Sequence, residues 1–345
     1  MNLVLLGHYR PGYRLSYYFD WRDAFLGLVE HRVRVINTSV GWQRPAPLVA
    51  RLPLSWSFPE QEIRQLYAGE IPCDVLVLPP SFYYFNQGAR RRLIEDLAAQ
   101  GRASFTTVFF VENEYRLLPD KVAYALALGA SVLVSQLPLD AARTFYGPHF
   151  PGTIVSAPAG LNPDVYRPGP SMSARQVHIG TRTHRYPASL GDSERNAIVE
   201  RFVRGGGPVE GLRVDISVNE KDRFTREEWA RFLGNCRATV ATEAGAVGLA
   251  WGDGQPVVSG KAVSSRHFEA LGTKTVQIMF PGRFNGILRA GEHYLALDRD
   301  FGNLDEVCAA VRDVALLSRM ADVGWEFAVA GQTYTHRARA LLAAV

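Results

Sequence analysis

The chain has 345 residues, 47% of them hydrophobic and 21% charged, the balance of a folded globular protein without disordered or low-complexity tracts. A chain of this length suits two domains of roughly 150 residues each rather than one core. The net charge of +4 comes from scattered arginines such as Arg90, Arg91 and Arg92 rather than from a basic tail interleaved with aromatics, so nucleic acid is not an expected partner.

In chain order, short apolar runs at 3–6, 33–37, 75–78, 106–111 and 131–135 alternate with helical patterns at 21–30, 87–100 and 121–128. The runs lack polar alternation, as strands do when helices cover both faces of a parallel sheet. Four prolines between 158 and 170 then forbid regular structure. Beyond them the rhythm resumes, with strands at 176–179, 212–217, 238–242 and 275–280, and helices at 193–203, 226–235, 263–271, 304–317 and from 320 onward. The expected architecture is α/β, two Rossmann-like domains facing across a cleft. Residues 1–160 form the first domain, 161–172 the linker and 173–345 the second, with the terminal helix expected to pack back on the first.

Cys73, Cys236 and Cys308 are far apart and show neither a disulfide framework nor a metal-ligand spacing, so a reducing, cytoplasmic setting and no metal are expected. No run approaches the roughly 20 apolar residues that span a bilayer, and residues 2–7 lack the flanks of an export signal. The mild positive charge suits a polyphosphate ligand or peripheral contact with an anionic membrane surface.

Residues 264–272, Ser-Ser-Arg-His-Phe-Glu-Ala-Leu-Gly, pack a loop, a helix start and a helix stop around one glutamate. Ser264 or Ser265 caps the helix, and Gly272 is read as the left-handed residue that ends it. The strand that follows places Glu269 near a helix N-terminus, where backbone N–H groups favour an anionic ligand. A second cluster, Arg182, His184, Arg185 and Tyr186, follows the strand at 176–179 and is the best basic anion site in the sequence.

Several of these segments resemble GT-B glycosyltransferases. The run 155–168, Val-Ser-Ala-Pro-Ala-Gly-Leu-Asn-Pro-Asp-Val-Tyr-Arg-Pro, looks like the interdomain crossing of group 1, family 4-like enzymes. Ile179-Gly180-Thr181-Arg182 and Leu190-Gly191-Asp192-Ser193-Glu194-Arg195-Asn196 are similar to the opening of the second domain in the spore-maturation-type subgroup. Residues 264–272 resemble the donor-binding motif, and Thr333-Tyr334-Thr335-His336-Arg337-Ala338 the C-terminal helix. The resemblance implies metal-independent transfer of a sugar from a nucleoside-diphosphate-sugar donor to an acceptor hydroxyl or amine, the nucleotide sugar being a substrate and not a cofactor. By it, Glu269 holds the ribose, and Arg182 or Arg185, with Ser264, Ser265 and Arg266, meets the diphosphate. The family's second glutamate, eight positions upstream, is here Lys261, and Glu243, at the end of the strand at 238–242, is the substitute for contact with the sugar.

On the acceptor side, Glu112 and Glu114 end the strand at 106–111 in acid, and either reads equally as a base or as a salt-bridged or capping carboxylate. His8, in the loop after the first strand with Tyr9 and Arg10, is a candidate sugar contact or proton carrier. An epimerase or hydrolase on the same fold, or a catalytically silent scaffold or glycan-binding protein, are the alternatives.

Overall fold

The computed structural model describes residues 1–12, 14–39, 59–188 and 192–345. The first sheet orders its six parallel strands β2-β1-β3-β4-β5-β6: β1 (Asn2–Gly7), β2 (Arg32–Asn37), β3 (Val75–Leu78), β4 (Thr106–Phe110), β5 (Ala130–Ser135) and β6 (Thr153–Ser156). Helices α1 (Ser16–Leu26), α2 (Pro59–Tyr67), α3 (Ala89–Ala99), α4 (Leu118–Ala127) and α5 (Leu139–Tyr146) alternate with them. The second sheet is also parallel, in the order β11-β10-β9-β7-β8, from β7 (Val177–Arg182), β8 (Val214–Ser217), β9 (Cys236–Ala241), β10 (Val276–Met279) and β11 (Leu295–Ala296). Around it lie α6 (Glu194–Arg204), α7 (Arg226–Gly234), α8 (Ser265–Gly272), α9 (Leu304–Arg312), α10 (Val314–Gly331) and α11 (Tyr334–Leu342). These are two Rossmann-like α/β domains.

The period of two in a strand explains how aliphatic runs serve two cores. Leu3, Leu5, Val75 and Val77 face Trp21 and Phe25 of α1, whereas Val4, Leu6, Leu76 and Leu78 face Ile63 and Tyr67 of α2 and Ile94 of α3. The α1-side core does not stop at the first sheet. It continues through Leu161 and Tyr166 of the crossing segment into Phe268 and Leu271 of α8 and Tyr334 of α11. Trp21 meets the Tyr334 ring edge-on at 5.1 Å, and Arg339 of α11 pairs with Glu30 at 3.0 Å.

Some elements differ from the sequence reading. Helix α1 starts at Ser16, before its apolar pattern; its first turn carries polar groups, the Ser16 hydroxyl reaching Glu269 of the other domain and the Tyr17 and Tyr18 hydroxyls Glu112 of their own. The single helix expected at 304–317 breaks at Asp313, which leaves α9 with extended geometry and whose carboxylate caps α10 by accepting from Leu316 N at 2.9 Å. Helices α2 and α5 and strands β6 and β11 are absent from the sequence reading; the two helices are amphipathic but short, nine and eight residues, and the strands span four and two.

Between β9 and α8 the chain makes an excursion held by two antiparallel bridges, Ala244 with Ala262 and Leu249 with Val258. Its tip crosses to the first domain, where the Trp251 ring stacks on His149 at 3.7 Å and meets Phe145 at 5.7 Å.

Candidate functional site

The C-terminal ends of both parallel sheets point into one cleft, the position where open α/β sheets bind ligands. Helix α8 opens there. Ser264 is extended, and its backbone N–H donates to His267 Nδ1 at 2.9 Å, so that ring nitrogen is an acceptor. Burial pushes the His267 pKa down to about 3 and keeps the ring neutral. The N–H groups of Ser265 and Arg266, first in the helix, have no intrahelical acceptor and are free to meet an anion.

The reading of Gly272 is corrected. It lies within α8 rather than ending it in a left-handed conformation; Thr273 caps the helix and Lys274, at φ 54, makes the left-handed turn. Gly272 is required for close approach: a Cβ there would meet Leu161 Cδ1 at 2.4 Å and Tyr166 O at 2.6 Å. The glycine seats α8 on the crossing segment.

Glu269 is buried, 5% exposed, and both carboxylate oxygens are engaged. Oε2 accepts from Trp229 Nε1 of α7 at 2.7 Å, and Oε1 accepts from Ser16 Oγ of the opposite domain at 2.7 Å. One turn along α1, Asp20 accepts from Asn162 at 2.9 Å and pairs with Arg226 at 3.1 Å, while Asp23 pairs with the same guanidinium at 2.9 Å. The domains are thus joined by a polar seam beneath the cleft. Ser16, Arg226 and Trp229 were not singled out from sequence; the Thr225-x-x-Glu228 capping box at the head of α7 was the available signal.

Above the seam is a cavity of about 390 Å³, beside an annex of about 120 Å³ with which it shares walls at Leu15, Tyr17, Arg223, Ser265 and Arg266. Glu269 and Arg182 line the annex, and Ser264 lines the main cavity. Arg266 donates to Thr181 Oγ1 at 3.1 Å, lies over the Trp229 ring at 5.2 Å, and pairs with no carboxylate among the described residues. Arg182 is held instead by Asp215 at 2.8 Å and lies over the rings of Phe224 at 5.1 Å and Phe232 at 4.3 Å. Arg185 is 70% exposed, pairs with Glu200 at 2.9 Å and lines neither space. Arg223, absent from the sequence candidates, lines both. Leu190 and Gly191 of the quoted motif, and Tyr13 of the first loop, lie outside the described residues.

Lys261 does not enter the cavity from the position of the expected glutamate. Its ammonium turns to the buried Asp192 at 2.6 Å, which also pairs with Arg195 at 2.9 Å, while Gly260 and Ala262 on either side form the wall. Glu243 also lies outside the lining: its Oε1 accepts from Phe284 N at 2.6 Å, and Gly282 leaves room for it, since a Cβ there would meet Glu243 Oε2 at 2.6 Å. This wall of the cavity is therefore backbone and small side chains, Ala244, Gly245, Gly260 and Ala262.

On the opposite wall, Glu112 and Asn113 follow β4 with φ of 44 and 43, a left-handed turn that non-glycine residues seldom adopt. Glu112 is buried; Oε1 accepts from Tyr17 and Tyr18, each at 2.6 Å, and from Asn113 Nδ2 at 2.8 Å, and Oε2 has no partner among the described residues. Burial raises its pKa to about 7 against the lowering effect of the tyrosine hydrogen bonds and Lys121. Tyr17, not Glu112, lines the cavity. Glu114 does reach the lining, but its carboxylate accepts from Ser135 and Tyr146 at 2.7 Å each and from Gln136 N, so it anchors the loop after β5. Lys121, fully buried, donates to the carbonyls of Glu112 and Asn113, and burial lowers its pKa to about 8. His8 stacks flat on Phe85 at 4.2 Å and is outside both linings; burial, then Arg90 and Arg10, lower its pKa.

No family model and no curated protein sequence matches the chain. Solved structures do. An α-glucosyltransferase in complex with UDP-glucose and DNA containing an abasic site aligns with a TM-score of 0.66 over 99% of this chain and 98% of that one, at 12% identity. Anabaena HepE in complex with UDP and glucose aligns at 0.58 over 100% of both chains, also at 12% identity. The fold is GT-B. A sucrose-phosphate synthase from Thermosynechococcus elongatus aligns at 0.54 over 100% of both chains with 12% identity. In a GT-B frame the α8 cavity belongs to the second domain, and the Glu112–Glu114 turn faces it from the first.

Proposed function

We propose that the protein is a glycosyltransferase that moves a sugar from a nucleoside-diphosphate donor to an acceptor hydroxyl or amine. The observation that carries this reading is the open head of α8, where the Ser265 and Arg266 N–H groups and the Arg266 guanidinium, unpaired by any described carboxylate, converge on one cavity. An anionic diphosphate fits that combination of dipole, donors and charge. The likeness to structures holding UDP, UDP-glucose or UDP with glucose supports the same choice of ligand.

In this proposal Ser264, Ser265, Arg266 and Arg223 hold the diphosphate, and the charge that develops on the leaving group is met by arginines and backbone N–H groups without a metal ion. Arg182, fixed by Asp215, supports the annex beside them. Glu269 accepts the ribose hydroxyls on the lone pairs that Ser16 and Trp229 leave open. Glu112 takes the acceptor proton through the Tyr17 hydroxyl, which lines the cavity and already donates to it. Glu243 and Arg185 have no part, because both side chains are committed elsewhere.

A thermal-shift screen against UDP-, GDP-, ADP- and dTDP-glucose tests the ligand class, because a ligand that binds only the native state raises its stability. Product analysis with and without added acceptor then separates transfer from hydrolysis or epimerisation. Binding without turnover under any acceptor would support the silent-scaffold reading.

A further inference from the structure

One imidazole, that of His184, lines the main cavity. His184 follows β7 in a short segment pinned at both ends: Thr183 N donates to Ser217 O at 2.9 Å, and Tyr186 is clamped by Asn196, which accepts from Tyr186 N at 3.0 Å and donates to Tyr186 O at 2.9 Å. The ring leans on Tyr186 at 4.3 Å, and Tyr186 in turn lies beneath Arg195 at 4.3 Å. The backbone and one stacking partner thus hold the imidazole at the cavity wall, and its ring nitrogens make no hydrogen bond among the described residues.

The groups that face it are mostly cationic. Arg223, Arg266 and Arg195 act on it from the α7 approach, from α8 and from α6, and only Glu220 acts in the opposite sense. With burial as the largest cause, they hold its pKa below the ordinary histidine value, so the ring is neutral in the empty site. A diphosphate placed among the same arginines reverses that balance, because its two negative charges outweigh the net positive field of Arg266 and of Arg223 and Arg195, whose carboxylate partners are Glu220 and Asp192. No other group on the wall has this property. The arginines stay charged, Tyr115 is a phenol with a raised pKa, and Glu114 is saturated with donors.

We propose that His184 is the leaving-group acid of this site: it takes a proton from solvent as the donor diphosphate binds and gives it to the departing phosphate. The inference rests on the glycosyltransferase reading above. In the step, the acceptor oxygen forms its bond to the sugar's anomeric carbon while the bond from that carbon to the distal phosphate oxygen breaks. The electron pair of the broken bond stays on that oxygen, which receives the His184 proton; the acceptor's own proton leaves through Tyr17 to Glu112, and from there to water. His184 ends neutral, and the next donor reloads it.

The test is calorimetry of nucleotide-sugar binding in two buffers of different ionisation enthalpy. UDP-glucose is the first probe, with the GDP, ADP and dTDP analogues beside it, because a diphosphate diester has no titration of its own near neutrality. Wild type should take up protons on binding near pH 7, with affinity falling by about tenfold per pH unit on the steep limb of its profile. His184→Gln and His184→Asn should bind the same sugar nucleotide with no buffer-dependent enthalpy and a flat pH profile, and turnover should fall by about a hundredfold or more. Equal proton uptake in wild type and both variants, or none in wild type, overturns the role of His184 while leaving the donor site in place. Failure of every nucleotide sugar to bind overturns both readings.

Discussion

Ser16, in the first turn of α1, donates to Glu269 of α8 across the two domains at 2.7 Å. The residue that the donor-site reading depends on is therefore also a joint between the sheets. Trp229, of the same domain as Glu269, holds the other carboxylate oxygen at the same distance, so one buried carboxylate ties α8 both to α7 and to α1.

Glu269→Ala should destabilise the protein as well as weaken nucleotide binding. It strands the Trp229 indole N–H and the Ser16 hydroxyl in a buried seam, at a cost on the order of 2 kcal/mol. Urea unfolding of the variant should show a lower midpoint, and Ser16→Ala, which removes only one donor from a carboxylate that keeps its other partner, should show a smaller loss.

Glu112 sets a pH dependence of stability. Its folded pKa of about 7 stands above the ordinary 4.5 because burial disfavours the charged form. Between those values the native state keeps a proton that the unfolded chain has released, so this contribution falls as pH rises from about 4.5 to 7 and levels off above. Unfolding free energies of wild type and Glu112→Gln across pH 4 to 9 check this. The difference between them should shrink on the acidic side and open toward neutrality, by an amount on the order of 3 kcal/mol.

The excursion that bears Trp251 is another tie between the domains. Trp251→Ala removes its stack on His149 and its edge-on contact with Phe145, a loss of about 1 to 2 kcal/mol. Hydrogen exchange should then quicken over residues 245–260, next to the cavity wall at Gly245 and Gly260, with the strands of both sheets unchanged.

The parallel sheets were readable in the chain because a strand buried on both faces must be an unbroken apolar run, as Val75–Leu78 is. The α8 residues were readable because Ser264, Ser265, Arg266 and Glu269 are contiguous and local capping chemistry fixes their helix. What could not be read was direction and distance. Arg226 meets Asp20 across 206 positions, and nothing local marks that pairing. Glu243 was placed correctly at the end of β9, but its side chain follows the Phe284 N–H into space left by Gly282, and the two belong to a different loop. Gly272 looked like a helix stop because a packing glycine and a capping glycine are the same letter; only the proximity of Leu161 and Tyr166 separates them.

The central claim, that the head of α8 binds a nucleoside diphosphate, is tested most directly by calorimetric titration of UDP into wild type, Arg266→Ala and Arg185→Ala, with GDP, ADP and dTDP in parallel. The account predicts that at least one nucleotide binds wild type, that Arg266→Ala weakens it by about tenfold or more through loss of a charge-assisted contact, and that Arg185→Ala, exposed and paired with Glu200, leaves it unchanged. Binding that is indifferent to Arg266, or no binding by any of the four nucleotides, would contradict it.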